Sequence, residues 1–311
     1  MTHFRAYSSF SQSKDVMPYL AKFIVSVLIV LSCTCAYSQN SNLACPLVAK
    51  TVAIDGGVIS YLEGGKGEPI LLLHGLFAQK EQWLEVGCAL AISGFDVIAP
   101  DLPGYGASTG YEVTVYPLET QVKILHQLME RNGGGAIHIA GSSMGGAIAS
   151  LYANHYPKEI KSLAFIGAPL GITTWSPQVK QSIFQGVNPF IPISNEQFDL
   201  EMRLLFFKPP MIDEAVKSQL VKEYVVNNRH YQQVWDIVSF YGAILDRQPT
   251  QSPKTLILWG KQDGIFDIAG LPLLKNRFPN SKAYTFSNAA HLLMLEQPNQ
   301  VIDIYRKFLR P

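Results

Sequence analysis

Short apolar runs alternate with longer amphipathic stretches along most of the chain. PILLLHG (69–75), FDVIAPDLPG (95–104), AIHIAG (136–141), SLAFIGAP (162–169) and KTLILWG (254–260) are near-continuously apolar and then stop at Gly or Pro. Runs of that length read as strands buried on both faces, as in a parallel sheet. Between them lie segments with helical spacing. KEQWLEVGCALAISG ends in Gly94, and PLETQVKILHQLMERNGG places Leu118, Val122, Leu125, Leu128 and Met129 on one face before two glycines. Residues 144–156 read as a helix stopped by Pro157, KAYTFS (282–287) alternates as a strand, and QPNQVIDIYRKFLR closes the chain as a helix. Near the start, TVAIDGGVISYLEGG alternates and turns at the Gly56-Gly57 pair, which predicts a hairpin.

That order predicts an α/β fold: a mostly parallel, doubly wound sheet with helices on both faces. The rhythm breaks once, between Pro169 and Gln248, where EQFDLEMRLLFF and AVKSQLVKEYVV carry helical patterns and no strong strand appears. The expected organisation is a core of residues 39–169 and 249–311, with residues 170–248 as a helical cap over the carboxyl ends of the strands, where open α/β sheets bind ligands. Phe184, Phe190, Phe198, Met202, Leu205, Phe206 and Phe207 of the cap either line an apolar pocket there or pack the cap onto the core.

The first 38 residues follow neither pattern. Lys22 precedes FIVSVLIVLSCTCAYS, whose continuous apolar part is about a dozen residues against the roughly 20 needed to span a bilayer. A cleaved signal peptide ending before Gln39, with Met17 as an alternative start, fits best. The alternatives are a lipid anchor on Cys33, from a weak lipobox in VLSC, or a retained membrane helix. Export would permit Cys45 and Cys88 to pair, but Cys88 lies within a helical pattern, and the expectation is a buried free thiol. The formal net charge of +1 over 311 residues gives no reason to expect nucleic acid, and nothing marks an oligomeric state.

The candidate chemistry starts at AGSSMGGA (140–147). Gly141-Ser142-Ser143-Met144-Gly145 fits G-x-S-x-G, between a strand and a helix as that motif requires. A dinucleotide-binding turn would need G-x-G-x-x-G and an acid after the next strand, which instead ends FIGAP. Ser143 needs a base, and His291, in a loop after the last strand, is the candidate. His74 is expected to shape the turn after its strand, and His126 and His155 to lie on helix surfaces. His138 sits inside a strand, His230 in the cap and His3 in the leader. The imidazole in turn needs a carboxylate, and Asp263 follows a buried strand. Asp267 is the rival, with an N-cap as its ordinary role, and Asp101 reads as a turn former. Oxyanion donors would be the backbone N–H of Met144 and of Leu76 or Phe77, with Leu76 preferred. No metal constellation appears and the chemistry requires no cofactor.

LHGLFAQKEQW, DLPGYGAS, GSSMGG, WGKQDGIFD and HLLMLEQP together resemble the α/β-hydrolase superfamily from residue 52 to the end. WGKQD followed by D-x-x-G, with the stretch SNEQFDLEMRLLFFKPP, is most similar to the monoacylglycerol lipases of the α/β-hydrolase-domain type and related secreted bacterial lipases. The resemblance implies a serine hydrolase of acylglycerols with Ser143, Asp263 and His291 as triad, acting on a small ester or lipid, with association with a lipid surface possible. Use of the same triad on a carbon–carbon or amide bond, or a non-catalytic binding role, is the alternative.

Overall fold

The computed structural model describes residues 44–171, 175–246 and 253–310. The expected leader, residues 1–38 with Lys22, Cys33 and its cleavage point, lies outside them.

Eight strands form one sheet in the order β1-β2-β4-β3-β5-β6-β7-β8. They are β1 (Val48–Ile54), β2 (Gly57–Gly65), β3 (Glu68–Leu73), β4 (Phe95–Pro100), β5 (Ile137–Ser143), β6 (Ile160–Pro169), β7 (Thr255–Gly260) and β8 (Ser281–Phe286). β1 and β2 pair antiparallel, and β2 runs antiparallel to β4; every other neighbouring pair is parallel. The sheet is thus mostly parallel and doubly wound. The β1–β2 hairpin turns one residue earlier than the Gly-Gly pair implied. Asp55 and Gly56 both have positive φ (47° and 81°), as a two-residue primed turn requires, and Gly57 begins β2.

Strand alternation builds two cores. Leu71 and Leu73 face one side, with α2 (Leu118–Arg131) and α3 (Met144–His155) packed over them; Ile70 and Leu72 face the other. There α1 (Leu84–Ile92) and the C-terminal helix cover them through Val86, Leu90, Val301 and Tyr305. β7 does the same, with Ile257 and Trp259 on the first side and Leu256 and Leu258 on the second. Burial on both faces is why these strands read as unbroken apolar runs.

Between β6 and β7 the described chain forms four helices: α4 (Pro177–Phe184), α5 (Asn195–Leu205), α6 (Glu214–Val226) and α7 (Asn228–Ser239). Side chains start three of them, with Ser176, Ser194 and Asp213 accepting from Val179, Gln197 and Ala215 N–H. Phe190, Trp175 and Trp235 form an aromatic stack that continues onto Phe266 beside the β7 end. After β7 come α8 (Leu271–Arg277), α9 (Leu293–Glu296) and α10 (Pro298–Leu309).

Two turns at the β3 and β4 ends are locked by buried polar groups. The His74 ring accepts from Leu102 N–H through Nε2 at 2.9 Å, and Nδ1–H donates to the Gly75 carbonyl at 2.7 Å. The Asp101 carboxylate accepts from Lys80 N–H, Lys80 Nζ and Ala107 N–H, each at 2.8 Å. Burial works against the Lys80 charge, but Asp101 and Glu81 beside it together outweigh burial and hold the ammonium charged. His74 and Asp101 thus take the turn-shaping roles their positions implied.

One expectation fails. Cys45 and Cys88 form a disulfide, with Cα atoms 5.1 Å apart across 43 residues of sequence. Cys88 is buried in α1 as its pattern required, but the chain leading into β1 crosses that helix and brings Cys45 against it: Leu47 also packs beside Gly87. Helical spacing reports which face a residue occupies and nothing about what crosses that face.

Closing so long a loop stabilises by about 4 kcal/mol in the chain-entropy model. A Cys45→Ser/Cys88→Ser protein should therefore denature at clearly lower urea than the oxidised wild type, and reductant should move only the wild type. His74 generates a second expectation. Burial lowers its pKa from 6.5 to about 4, so the unfolded chain binds a proton that the folded chain refuses between those values. Its contribution is present above pH 6.5 and is lost as pH falls towards 4, at up to about 1.4 kcal/mol per pH unit. Denaturation series from pH 7 to 4 on wild type and His74→Gln should show a slope shallower by up to one proton in the variant.

Candidate active site

β5 runs directly into α3, and Ser143 is the residue at the junction. Its backbone sits at φ 54°, ψ −121°, outside the regions that L-residues favour. A bend this abrupt requires small neighbours: a Cβ on Gly141 would overlap the Gly145 carbonyl, and one on Gly145 would overlap the carbonyls of Leu73 and His74. Strain of this kind costs of order 1–3 kcal/mol and persists where the surroundings over-determine it. Here the register shift between β5 and β6 at Gly141/Ser143 and the Leu170 N–H bond to the Ser143 carbonyl hold the turn.

The loop after β7 carries Asp263. Its carboxylate is fully buried and accepts four hydrogen bonds. Oδ1 takes Ile265 and Phe266 N–H at 2.9 and 3.0 Å, and Oδ2 takes Trp259 Nε1 and His291 Nδ1, both at 3.0 Å. With Nδ1–H donating to Asp263, Nε2 of His291 is left free to accept a proton. Asp267, the rival carboxylate, caps the helical turn at Ile268–Gly270 by accepting from Ala269 N–H.

His291 is 2% exposed, and its loop is tied down by groups the motif did not mark. The Leu205 carbonyl at the end of α5 accepts from both His291 N–H and Leu292 N–H, and the Leu204 carbonyl accepts from Gly264 N–H. Glu296 accepts from Ala290 N–H at 2.6 Å through one oxygen, and from Phe207 and Lys208 N–H through the other. The helical insertion and the two loops that present Asp263 and His291 therefore share a hydrogen-bonded frame. Glu296 was legible only as part of HLLMLEQP; that it links two separate segments required the fold.

Ser143, Met144, Leu76, Phe77 and His291 line one cavity of about 1420 Å³. The turn after β3 passes close to the serine, since a Cβ on Gly75 would lie 3.3 Å from Ser143 Cβ. Among the described residues no hydrogen bond links the Ser143 hydroxyl to the His291 ring, and in structures without substrate such contacts are often long. The other histidines lie elsewhere. His126 stacks on Tyr156, His138 bonds Ser162 within the sheet, His155 is exposed, and His230 bonds the Tyr116 hydroxyl.

Six of the seven apolar cap residues named from sequence line the cavity: Phe190, Phe198, Met202, Leu205, Phe206 and Phe207. Phe184 does not; at the end of α4 it is 87% exposed, because its helix buries the opposite face through Val179 and Ser182.

Comparison with known proteins agrees with this geometry. The family model described as alpha/beta hydrolase fold matches residues 68–206 and 208–298. Lipase 1 of Psychrobacter immobilis is 31% identical over 284 residues, covering 88% of this chain and 86% of its own. Monoacylglycerol lipase ABHD6 of Homo sapiens is 28% identical over 258 residues, covering 79% and 76%. The crystal structure of a bacterial membrane phospholipase A superposes with a TM-score of 0.79 at 27% identity, covering 92% of each chain. The chain belongs to the α/β-hydrolase family.

Proposed function

We propose that the protein is a serine carboxylester hydrolase that cleaves acylglycerols, with Ser143 as nucleophile, His291 as general base and acid, and Asp263 as the carboxylate that orients the imidazole. The observation that carries this reading is the Asp263–His291 hydrogen bond at 3.0 Å, with His291 and the strained Ser143 lining one large, mainly apolar cavity. Relatives named lipase and monoacylglycerol lipase support the ester class.

Ser143 Oγ attacks the ester carbonyl carbon while its proton passes to His291 Nε2. The imidazolium that forms is stabilised by the Asp263 carboxylate, already desolvated and held by three protein donors besides the ring. The tetrahedral oxyanion is received by the backbone N–H groups of Met144, at the α3 N-terminus, and Leu76; each such donor is worth roughly 3 kcal/mol of barrier. The intermediate collapses to an acyl-serine as His291 gives its proton to the departing alkoxide. Water, deprotonated by the same nitrogen, then attacks the acyl-serine and releases the fatty acid. The apolar lining away from α5, including Phe190, Trp235 and Val238, accommodates the acyl chain.

Residues 170–248 act as a cap over the core of residues 39–169 and 249–311. Met211, Phe240 and Phe184 stand 101%, 86% and 87% exposed on this segment, which supports contact with a lipid surface. No described helix is long and apolar enough to cross a membrane. The Cys45–Cys88 disulfide supports export to an oxidising compartment, in keeping with a leader over residues 1–38.

A fluorophosphonate probe should label the wild type at Ser143 and leave Ser143→Ala unlabelled. Hydrolysis of acyl esters should fall at least about a thousandfold in Ser143→Ala and in Asp263→Asn. Ester hydrolysis of equal rate in wild type and Ser143→Ala would overturn the reading.

A further inference from the structure

Glu201 puts a carboxyl with one buried oxygen unpartnered among the described residues against the apolar cavity. It lies on α5, is 7% exposed, and lines the same cavity as Ser143 and His291. Its Oε2 is buried and has no hydrogen-bond partner among the described residues. No cation among the described residues compensates it: burial pushes the carboxyl from 4.5 up to about 8, which favours the uncharged acid at neutral pH, able both to donate and to accept. A group of this kind is destabilising where it stands, because folding strips its water and returns no bond.

The position of Glu201 relative to the reacting groups follows from helix geometry. Leu205 is the α5 residue whose carbonyl receives the His291 and Leu292 N–H groups. Glu201 precedes it by four residues, on the same face and about 6 Å along the axis. It therefore lies about one helical turn from the His291 loop. Tyr224 of α6 lines the same cavity and is near enough to feel the Glu201 charge. In ester cleavage the leaving alcohol departs at His291, which protonates it, while the acyl group stays on Ser143. A polar group on the His291 side faces the alcohol half of the substrate. An alkyl chain in that place would leave the carboxyl as unsatisfied as it is now, whereas a free hydroxyl would satisfy it.

We propose that Glu201 is a specificity-determining residue for the alcohol half of the substrate, hydrogen-bonding a free hydroxyl of a polyol leaving group, so that the protein selects partial acylglycerols over esters of simple alcohols. The assignment rests on the carboxylester-hydrolase reading. It concerns recognition alone; Glu201 takes no part in bond making.

The test compares monooctanoylglycerol with methyl octanoate, which share an acyl chain and differ in free hydroxyls, both below their aggregation concentrations. The ratio of the two kcat/KM values is measured for wild type, Glu201→Gln and Glu201→Leu. The ratio should fall about tenfold in Glu201→Leu, the weight of one hydrogen bond, mainly through KM for the glycerol ester. It should fall less than about threefold in Glu201→Gln, whose amide also donates and accepts. The melting temperature of Glu201→Leu should equal or exceed that of wild type, since no bond is lost. The same ratio in all three proteins overturns the role of Glu201 alone, and so does a melting temperature lowered alike in both variants, which would make Glu201 a structural prop. A wild type inactive on both esters overturns the hydrolase reading and this assignment with it.

Discussion

The Asp263–His291 hydrogen bond is the interaction on which the site depends. Both side chains are almost wholly removed from water, so neither ring tautomer nor ring orientation is left to solvent. A buried carboxylate is costly unless its lone pairs are filled, and Asp263 fills them with two backbone N–H groups, an indole N–H and the imidazole. The consequence is directional. With Nδ1 committed to Asp263, Nε2 is the ring nitrogen left for the proposed role of base.

That bond holds its place because two otherwise separate parts of the chain are tied together around it. α5 belongs to the insertion between β6 and β7, yet its last two carbonyls bind the backbone of Gly264, His291 and Leu292. Glu296 ties Ala290 to Phe207 and Lys208 in the same way. At this end the insertion is part of the wall that positions the His291 loop, rather than a cover resting on a finished site. The turn at Ser143 between β5 and α3 contributes the other half of the frame. Ser143 is held in an unfavourable backbone conformation by contacts among strand ends that only glycine permits at positions 141 and 145.

Much of this was legible from residue order. The β3, β5, β6 and β7 runs are unbroken because each strand serves both cores, and G-x-S-x-G stands out because a strained turn tolerates so few residue types. The loops that carry His291 and Asp263 were readable from the strands before them, and the structure joins the two side chains by a hydrogen bond. What escaped reading depends on where segments cross. The Cys45–Cys88 bridge depends on the path of the chain before β1 over α1, and the outward turn of Phe184 on which face of α4 meets the core. Glu296 joins segments about ninety residues apart. Glu201 looks like a surface residue in EQFDLEMRLLFF; that it faces an apolar cavity follows only from the docking of Leu205 against the His291 loop.

The protonation of the His291 ring is the most direct measure of the central relation. Nitrogen-15 NMR of histidine-labelled protein in which the ring is neutral, with the resonance assigned by its loss in His291→Gln, reports which ring nitrogen carries the proton. Protonated Nδ1 and bare Nε2, with the pattern disturbed in Asp263→Asn, is the predicted result. A proton on Nε2 in the wild type, leaving no acceptor for the serine hydroxyl, would contradict it.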